Sequence, residues 1–99
     1  MEINTRQTKQ LRSLAHALKP VVRIGQKGLT DAVLAELEIA LDHHELIKVK
    51  IAGDREERNQ VIGRITEQTT AHKIALTGAV AVLFRRNPKS PVIDLKKNN

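Results

Sequence analysis

The residues best suited to chemistry in this 99-residue chain form a short loop, Gly25-Gln26-Lys27-Gly28, between a β-branched run and a predicted helix. The two glycines permit positive φ angles and let another backbone approach closely. Loop amides and a helix start attract anions, and Lys27 and the nearby Arg23 add positive charge at the same place. The pattern therefore predicts a phosphate-binding loop, although an ordinary strand-to-helix turn has the same glycine spacing.

Nothing in the sequence favours catalysis or a metal site. The chain contains no cysteine, which excludes disulfides, thiolate zinc sites and cysteine nucleophiles. Ser13 and Ser90 lie outside any nucleophile-elbow motif. His43 and His44 are adjacent and point about 100° apart on a helix, so a solvated helix C-terminus explains them better than a shared metal. We predict a non-enzymatic protein with no cofactor and no metal.

The charge distribution favours a polyanionic partner. The net charge is +6 and the isoelectric point is about 10.1. Residues 1–28 contain six lysines and arginines and one acid, residues 29–67 contain five and nine, and residues 68–99 contain six and one. The two basic ends form one basic face if they meet in space; the alternative is a general surplus of charge for solubility.

The aromatic content excludes one class of nucleic-acid binders. The chain contains one phenylalanine, Phe84, and no tryptophan or tyrosine. RRM domains and most OB-folds, in contrast, stack bases on several exposed rings. A nucleic acid would therefore be bound mainly through phosphates, sugars and backbone amides.

Hydrophobic periodicity predicts a helix over residues 5–19 followed by strand, helix, strand, helix, strand and strand. Thr30 is the expected N-cap of the second helix, and Asn4/Gln7 and Asp54/Glu57 have the form of capping boxes. The further predicted elements are strands 21–24, 46–51, 71–76 and 79–84, a helix over 31–43 and a helix that begins at 54.

These elements predict an α/β domain with one four-stranded mixed sheet. Residues 80–84 are apolar at every position, which is typical of an interior strand. Local patterns leave open the strand order and whether Lys48 and Lys50 join the basic face.

The chain is expected to form one domain over residues 1–86, followed by a basic tail over 87–99. The tail contains Pro88, Pro91 and the Lys96-Lys97 pair, and we predict that it is loosely docked or flexible. The start of the chain is charged and no apolar run could span a bilayer, so we expect a cytoplasmic protein with no membrane partner. The oligomeric state is left open.

Two long segments carry a family resemblance. TKQLRSLAHALKP at residues 8–20, followed by VRIGQKGL at 22–29, resembles the opening of a CRM domain, the chloroplast RNA splicing and ribosome maturation domain. HELIKVK at 44–50 and IALTG at 74–78 continue the resemblance, which extends to about Arg86. In length the chain is similar to the stand-alone bacterial form, the YhbY family.

The resemblance implies an RNA-binding domain whose fold is similar to the C-terminal domain of translation initiation factor three. It also implies that the G-x-x-G loop contacts the RNA backbone as the corresponding loop of KH domains does. Bacterial members are associated with precursors of the large ribosomal subunit.

We therefore predict a protein that binds structured ribosomal RNA during assembly of the large subunit. The alternative is a protein-interaction domain for an acidic ribosomal or assembly partner, which would use the acidic second and third helices and Ile39. The candidate RNA-binding residues are the loop and flanking cations: Gly25, Gln26, Lys27, Gly28, Arg23, Lys9, Arg12, Lys19, Arg85 and Arg86.

Overall fold

The structure, a computed structural model, describes residues 2–95. Its elements in chain order are α1 (Thr5–Ala15), β1 (Pro20–Ile24), α2 (Asp31–His44), β2 (Leu46–Ile51), α3 (Arg55–Thr69), β3 (His72–Thr77) and β4 (Val80–Phe84). The order of elements matches the prediction. Within residues 2–95, no helix is long and apolar enough to cross a membrane.

The strands form one sheet in the order β1-β2-β4-β3. β1 and β2 are parallel because α2 carries the chain back between them, whereas β4 is antiparallel to both β2 and β3. β4 is therefore an interior strand in a mixed four-stranded sheet, and the predicted α/β fold class is confirmed.

Local side chains fix the start of every helix. The Asn4 Oδ1 atom accepts the Gln7 N–H at 2.8 Å and Gln7 Oε1 accepts the Asn4 N–H at 3.1 Å. Asp54 and Glu57 make the same reciprocal pair at 2.8 and 3.0 Å, and Thr30 Oγ1 accepts the Val33 N–H at 3.2 Å. These are the three predicted caps, and each contributes about 1 kcal/mol.

Helix α1 is shorter than predicted, because it ends at Ala15 rather than at residue 19. The N–H groups of His16, Ala17 and Leu18 bond to carbonyls three residues back, which tightens the chain into a turn before Pro20. Lys19 therefore lies in the linker to β1 rather than on the helix.

Each face of the sheet has its own hydrophobic core. The core against α2 and α3 consists of Val22, Ile24, Leu37, Leu41, Ile47, Val49, Ile51, Ile62, Ile65, Ala71, Ala81 and Leu83. The core against α1 consists of Leu11, Ala15, Leu46, Ile74, Val82, Phe84 and Leu95. Since side chains alternate along a strand, β4 contributes to both cores, and α1 lies on the opposite side of the sheet from α2 and α3.

Residues 87–95 are docked on the domain, where the sequence predicted a tail that is loosely docked or flexible. Glu45 is fully buried, and its carboxylate accepts the backbone N–H groups of Asn87, Val92 and Ile93 at 2.6 to 2.8 Å. Leu95 is buried in the core beneath α1. Glu45 lies more than forty residues before its partners, so local patterns do not reveal the contact. Lys96 and Lys97 of the predicted basic tail lie outside the described residues.

Glu45 makes this docking dependent on pH. Burial acts to raise the pKa of Glu45, but the three backbone donors and the positive charge of Arg86 outweigh burial, so this pKa lies below the ordinary glutamate value. A depressed pKa in the folded state stabilises the fold above the ordinary value, about 4.3, and that contribution is lost as pH falls through the lower, folded-state pKa.

We predict that Glu45→Gln lowers the free energy of unfolding at pH 7 by about 2–3 kcal/mol, because one amide oxygen cannot replace a carboxylate that accepts three hydrogen bonds. Urea denaturation at pH 7 and at about pH 3 measures this. Wild type should lose stability at the lower pH, and Glu45→Gln should lose less. Glu36→Gln, on the exposed surface of α2, is the control; an equal effect of both substitutions would contradict the role of Glu45.

Candidate nucleic-acid interface

The Gly25–Gly28 segment is a closed turn. The Gly28 N–H donates to the Gly25 carbonyl at 3.0 Å, and the Thr30 N–H donates to the Gly28 carbonyl at the same distance. Gln26 and Lys27 are exposed at the two central positions of the turn, and their amides lie outside the hydrogen bond that closes it. The turn therefore presents two backbone donors and one lysine side chain to solvent.

The two glycines of this turn differ in whether the backbone conformation requires glycine. Gly28 has a φ of 73°, a left-handed conformation that other residues adopt only with strain. Gly25 has no positive φ, and a Cβ atom added there would meet nothing within 4 Å. The chain itself does not require glycine at position 25, whereas an incoming backbone would find an open approach there.

The loop lies at one end of the sheet, beside the turn between β3 and β4. The Ala52 N–H donates to the Ile24 carbonyl at 2.9 Å, and the Ile51 N–H donates to the Ala79 carbonyl at 2.8 Å. These bonds tie the end of β1, the end of β2 and the hairpin together. The loop is therefore held by three strands at its base.

A row of cations leads from the loop along the uncovered part of the sheet. Arg23 on β1 is the Cα partner of Lys50 on β2, and Lys50 is the Cα partner of Val80 on β4. Lys48 lies two residues before Lys50 and so projects from the same face of the sheet. Lys48 and Lys50 thus join Arg23 on the face that α1 covers only in part.

Helix α1 and its C-cap residue add basic side chains to the same side of the sheet. Lys9 and Arg12 lie three residues apart on α1, and the C-cap residue His16 follows Arg12 by four residues, so the three form one stripe. The Arg12 Nε atom donates to the Ile74 carbonyl at 3.4 Å, which rests this side chain against β3. We call the surface formed by Arg12, His16, Arg23, Lys48 and Lys50 the basic face. Lys9 lies one turn before Arg12.

Arg85 is held away from this surface. Its guanidinium bonds Glu38 at 2.9 Å, Asp42 at 2.8 Å and the Thr69 carbonyl at 2.9 Å, and its side chain is 17% exposed. These partners belong to α2 and α3, on the opposite side of the sheet from α1. Arg85 joins the end of β4 to both helices.

Arg86 is also occupied within the protein. It donates to the Ile93 carbonyl at 2.8 Å, lies 3.9 Å from the Glu45 carboxylate and contacts the Phe84 ring at 6.0 Å from its centroid. Its side chain is 25% exposed. The sequence predicts Arg85 and Arg86 among the binding cations because local patterns do not reveal these partners: the carboxylates that bind Arg85 lie more than forty residues away, and Arg86 bonds to a backbone carbonyl.

Acidic residues lie mainly on the opposite side of the molecule. Eight of the eleven acids belong to α2, to α3 or to the N-cap of α3. Of the other three, Glu45 is buried beneath the tail. Asp31, in the first turn of α2, is the acid nearest in sequence to the loop. Most acids of the middle segment therefore lie in the layer formed by α2 and α3, whereas α1 and the open part of the sheet form a basic surface.

The described part of the chain contains no group of three or more His, Asp or Glu side chains that could hold a metal ion. His43 and His44 lie at the end of α2 with their rings edge to face, 5.1 Å apart between centroids. The surface assembled here is suited to binding an extended anion.

Comparison with known proteins gives concordant results. A family model of the CRS1/YhbY (CRM) domain matches residues 3–85. An RNA-binding protein of Haemophilus influenzae is 46% identical, with 91% of this chain and 92% of that protein covered. A probable RNA-binding protein of Pseudomonas aeruginosa is 42% identical, with 90% and 86% covered.

One solved structure is similar over nearly the whole chain. It is the solution structure of a hypothetical protein of Staphylococcus aureus described as a candidate RNA-binding protein. The TM-score is 0.83 at 25% sequence identity, with 96% of this chain and 100% of that chain covered. The two chains therefore share the same overall fold.

The different roles of the two glycines lead to a stability prediction. Gly25→Ala should leave the free energy of unfolding within about 0.5 kcal/mol of wild type, because the new methyl group enters open space. Gly28→Ala should lower it by about 1–2 kcal/mol, because alanine is strained at this φ. Chemical denaturation measures both, and equal effects would contradict the geometry of the turn.

Proposed function

This chain belongs to the CRS1/YhbY (CRM) domain family, and we propose that it is a non-enzymatic protein that binds structured RNA through the sugar-phosphate backbone. The observation that carries the proposal is the continuity of the Gly25–Gly28 turn with the basic face. The proposed contacts are Gly25, Gln26, Lys27 and Gly28, with Arg23, Lys48, Lys50 and Arg12 beside them and Lys9 and Lys19 at the margin.

The RNA backbone would come closest to the protein at the Gly25–Gly28 turn. A phosphate placed against it can accept the Gln26 and Lys27 amides while the Lys27 ammonium neutralises its charge. Gly25 allows the RNA backbone to come near because it has no side chain there. Asp31 opposes an anion at the start of α2, so we assign the attraction to the turn and to Lys27 rather than to the helix end.

Arg85 and Arg86 are not part of the proposed interface. Both would have to leave carboxylate or carbonyl partners to reach RNA, and each bond to a charged group is worth about 1.5–3 kcal/mol. We propose that they hold α2, α3 and the tail in place, and so act on binding only through the stability of the fold.

The proposed target is ribosomal RNA in precursors of the large ribosomal subunit. This part rests on family membership, because bacterial proteins that this chain resembles are associated with such precursors. Phe84, the single aromatic ring, is fully buried, so bases cannot stack on it. Recognition would therefore depend on RNA shape, phosphates and 2′-hydroxyl groups.

A protein-interaction domain is the second candidate function. Ile39, on α2, is 70% exposed, more than any other large apolar side chain that the structure describes. The acids of α2 surround it in sequence, so this surface would repel an acidic partner and attract a basic one. This function would be favoured if a partner protein is still recovered with the chain after nuclease treatment and is no longer recovered with Ile39→Lys.

We predict that Lys27→Ala weakens binding to different structured RNAs by a similar factor and reduces the slope of log K against log salt by about one. Fluorescence anisotropy at several salt concentrations measures the slope. Lys73→Ala, which removes the same charge beside Asn59 of α3, is the matched control and should leave the slope unchanged. A complex insensitive to salt would contradict backbone binding.

The ribosomal target is tested by sedimentation of cell lysates. We expect wild type in the fractions of the large subunit or its precursors, and Gly25→Asp at the top of the gradient, because the new carboxylate repels phosphate without disturbing the turn. Denaturation curves establish that the variant is folded. Co-sedimentation of both proteins would contradict the role of the loop, and absence of both from these fractions would contradict the ribosomal target.

A further inference from the structure

A groove separates the second half of α1 from the open part of the sheet. Its volume is about 570 Å³, within the range of about 300–1,000 Å³ common for sites that bind small molecules. The residues that line it are Arg12, Ala15, His16, Pro20, Lys48, Ala75, Leu76, Thr77, Val80 and Val82. Among the residues that the structure describes, no acid lines the groove.

The groove has two chemical parts. Its floor is aliphatic, formed by β3 and β4 residues such as Ala75, Val80 and Val82. Its rim carries Arg12 from α1, His16 from the C-cap of that helix and Lys48 from β2. A fitting ligand would combine a flat apolar part with a negative charge, and a nucleotide has both.

The rim also supplies planar groups that can stack on a base. Nucleobases stack on arginine guanidinium planes and on histidine as well as on larger rings. Arg12 on α1 and its C-cap residue His16 lie four residues apart on one side, and the hydrogen bond from Arg12 Nε to the Ile74 carbonyl restrains the guanidinium beside the floor. These two side chains could do here what Phe, Tyr and Trp do in other RNA-binding domains.

The groove is continuous with the loop. β1 runs from Pro20, which lines the groove, to Ile24, which precedes the loop, a distance of about 13 Å at ~3.3 Å per residue. Arg23 and Lys50 lie between the loop and the groove, and Val80 both pairs with Lys50 and forms part of the floor. A single stretch of RNA bound at the loop can therefore extend into the groove over a basic path.

We propose that this groove accepts one unpaired nucleotide, with its base between the aliphatic floor and the Arg12 and His16 planes and its phosphate beside Lys48. The inference rests on the proposed RNA binding and adds to it a preference for RNA that has an unpaired nucleotide near a helical segment. Bases inside an A-form helix cannot enter, because they are paired and stacked.

The test uses two RNA hairpins of the same stem sequence, one fully paired and one with a single bulged nucleotide, and compares their affinities by fluorescence anisotropy at one salt concentration. Wild type should bind the bulged hairpin about tenfold more tightly, which lies within the range that base stacking contributes. Replacement of the bulged base by 2-aminopurine should give a fluorescence change on binding.

Two variants separate stacking from charge. Arg12→Lys keeps the positive charge but removes the guanidinium plane, and His16→Ala removes the imidazole ring. Each should reduce the ratio of the affinities for the bulged and the paired hairpin severalfold, because the loss of a contact with the RNA backbone affects both hairpins alike and cancels in that ratio. Arg64→Lys, on the exposed surface of α3, is the matched control and should retain the full preference.

The outcomes distinguish this inference from the function on which it rests. Equal wild-type affinity for the two hairpins, with Lys27→Ala still weakening both, overturns the groove and leaves the loop. A preference for the bulged hairpin that persists in Arg12→Lys and His16→Ala also overturns the proposed nucleotide site. A protein segment that fills the groove would likewise give equal affinities for the two hairpins, because the bulged nucleotide could not enter. Failure of wild type to bind either hairpin overturns both proposals.

Discussion

Strand β4 is buried on both faces, and the positions of the helices follow from that constraint. Ala81 and Leu83 belong to the core against α2 and α3, whereas Val82 and Phe84 belong to the core against α1. An apolar strand of this kind must be covered on both sides and flanked by other strands, since exposure of either face would forfeit the burial of large side chains. α1 must therefore lie on one side and the two later helices on the other.

This layering converts the charge pattern of the chain into two surfaces. Most acids belong to the α2 and α3 layer, and the first basic segment lies on α1, in β1 and in the loop. α1 is too short to cover the whole sheet, because the chain tightens after Ala15 and must reach Pro20 to begin β1. The uncovered part exposes Arg23, Lys48 and Lys50, and the Gly25–Gly28 turn lies at its end.

Features determined by neighbouring residues could be predicted from the sequence, and features determined by distant contacts could not. The three N-caps, the order of elements and the interior position of residues 80–84 depend on local spacing and were confirmed. The bonds of Arg85 to Glu38 and of Glu45 to residues 87–93 join segments more than forty residues apart. For this reason the sequence predicts Arg85 and Arg86 as RNA-binding cations and the tail as loosely docked or flexible. The strand order places Lys50 beside Arg23, which local patterns leave open.

The central claim is that the Gly25–Gly28 turn and the adjoining basic face contact RNA while the acidic helices face away. Titration of ¹⁵N-labelled protein with an RNA hairpin, followed by amide chemical shifts, tests it most directly. The largest shifts are expected at residues 23–28 and 48–50 and at the exposed end of α1, and the outer surface of α3 should be unchanged. Shifts concentrated on α2 and α3, with the loop amides unmoved, would contradict it.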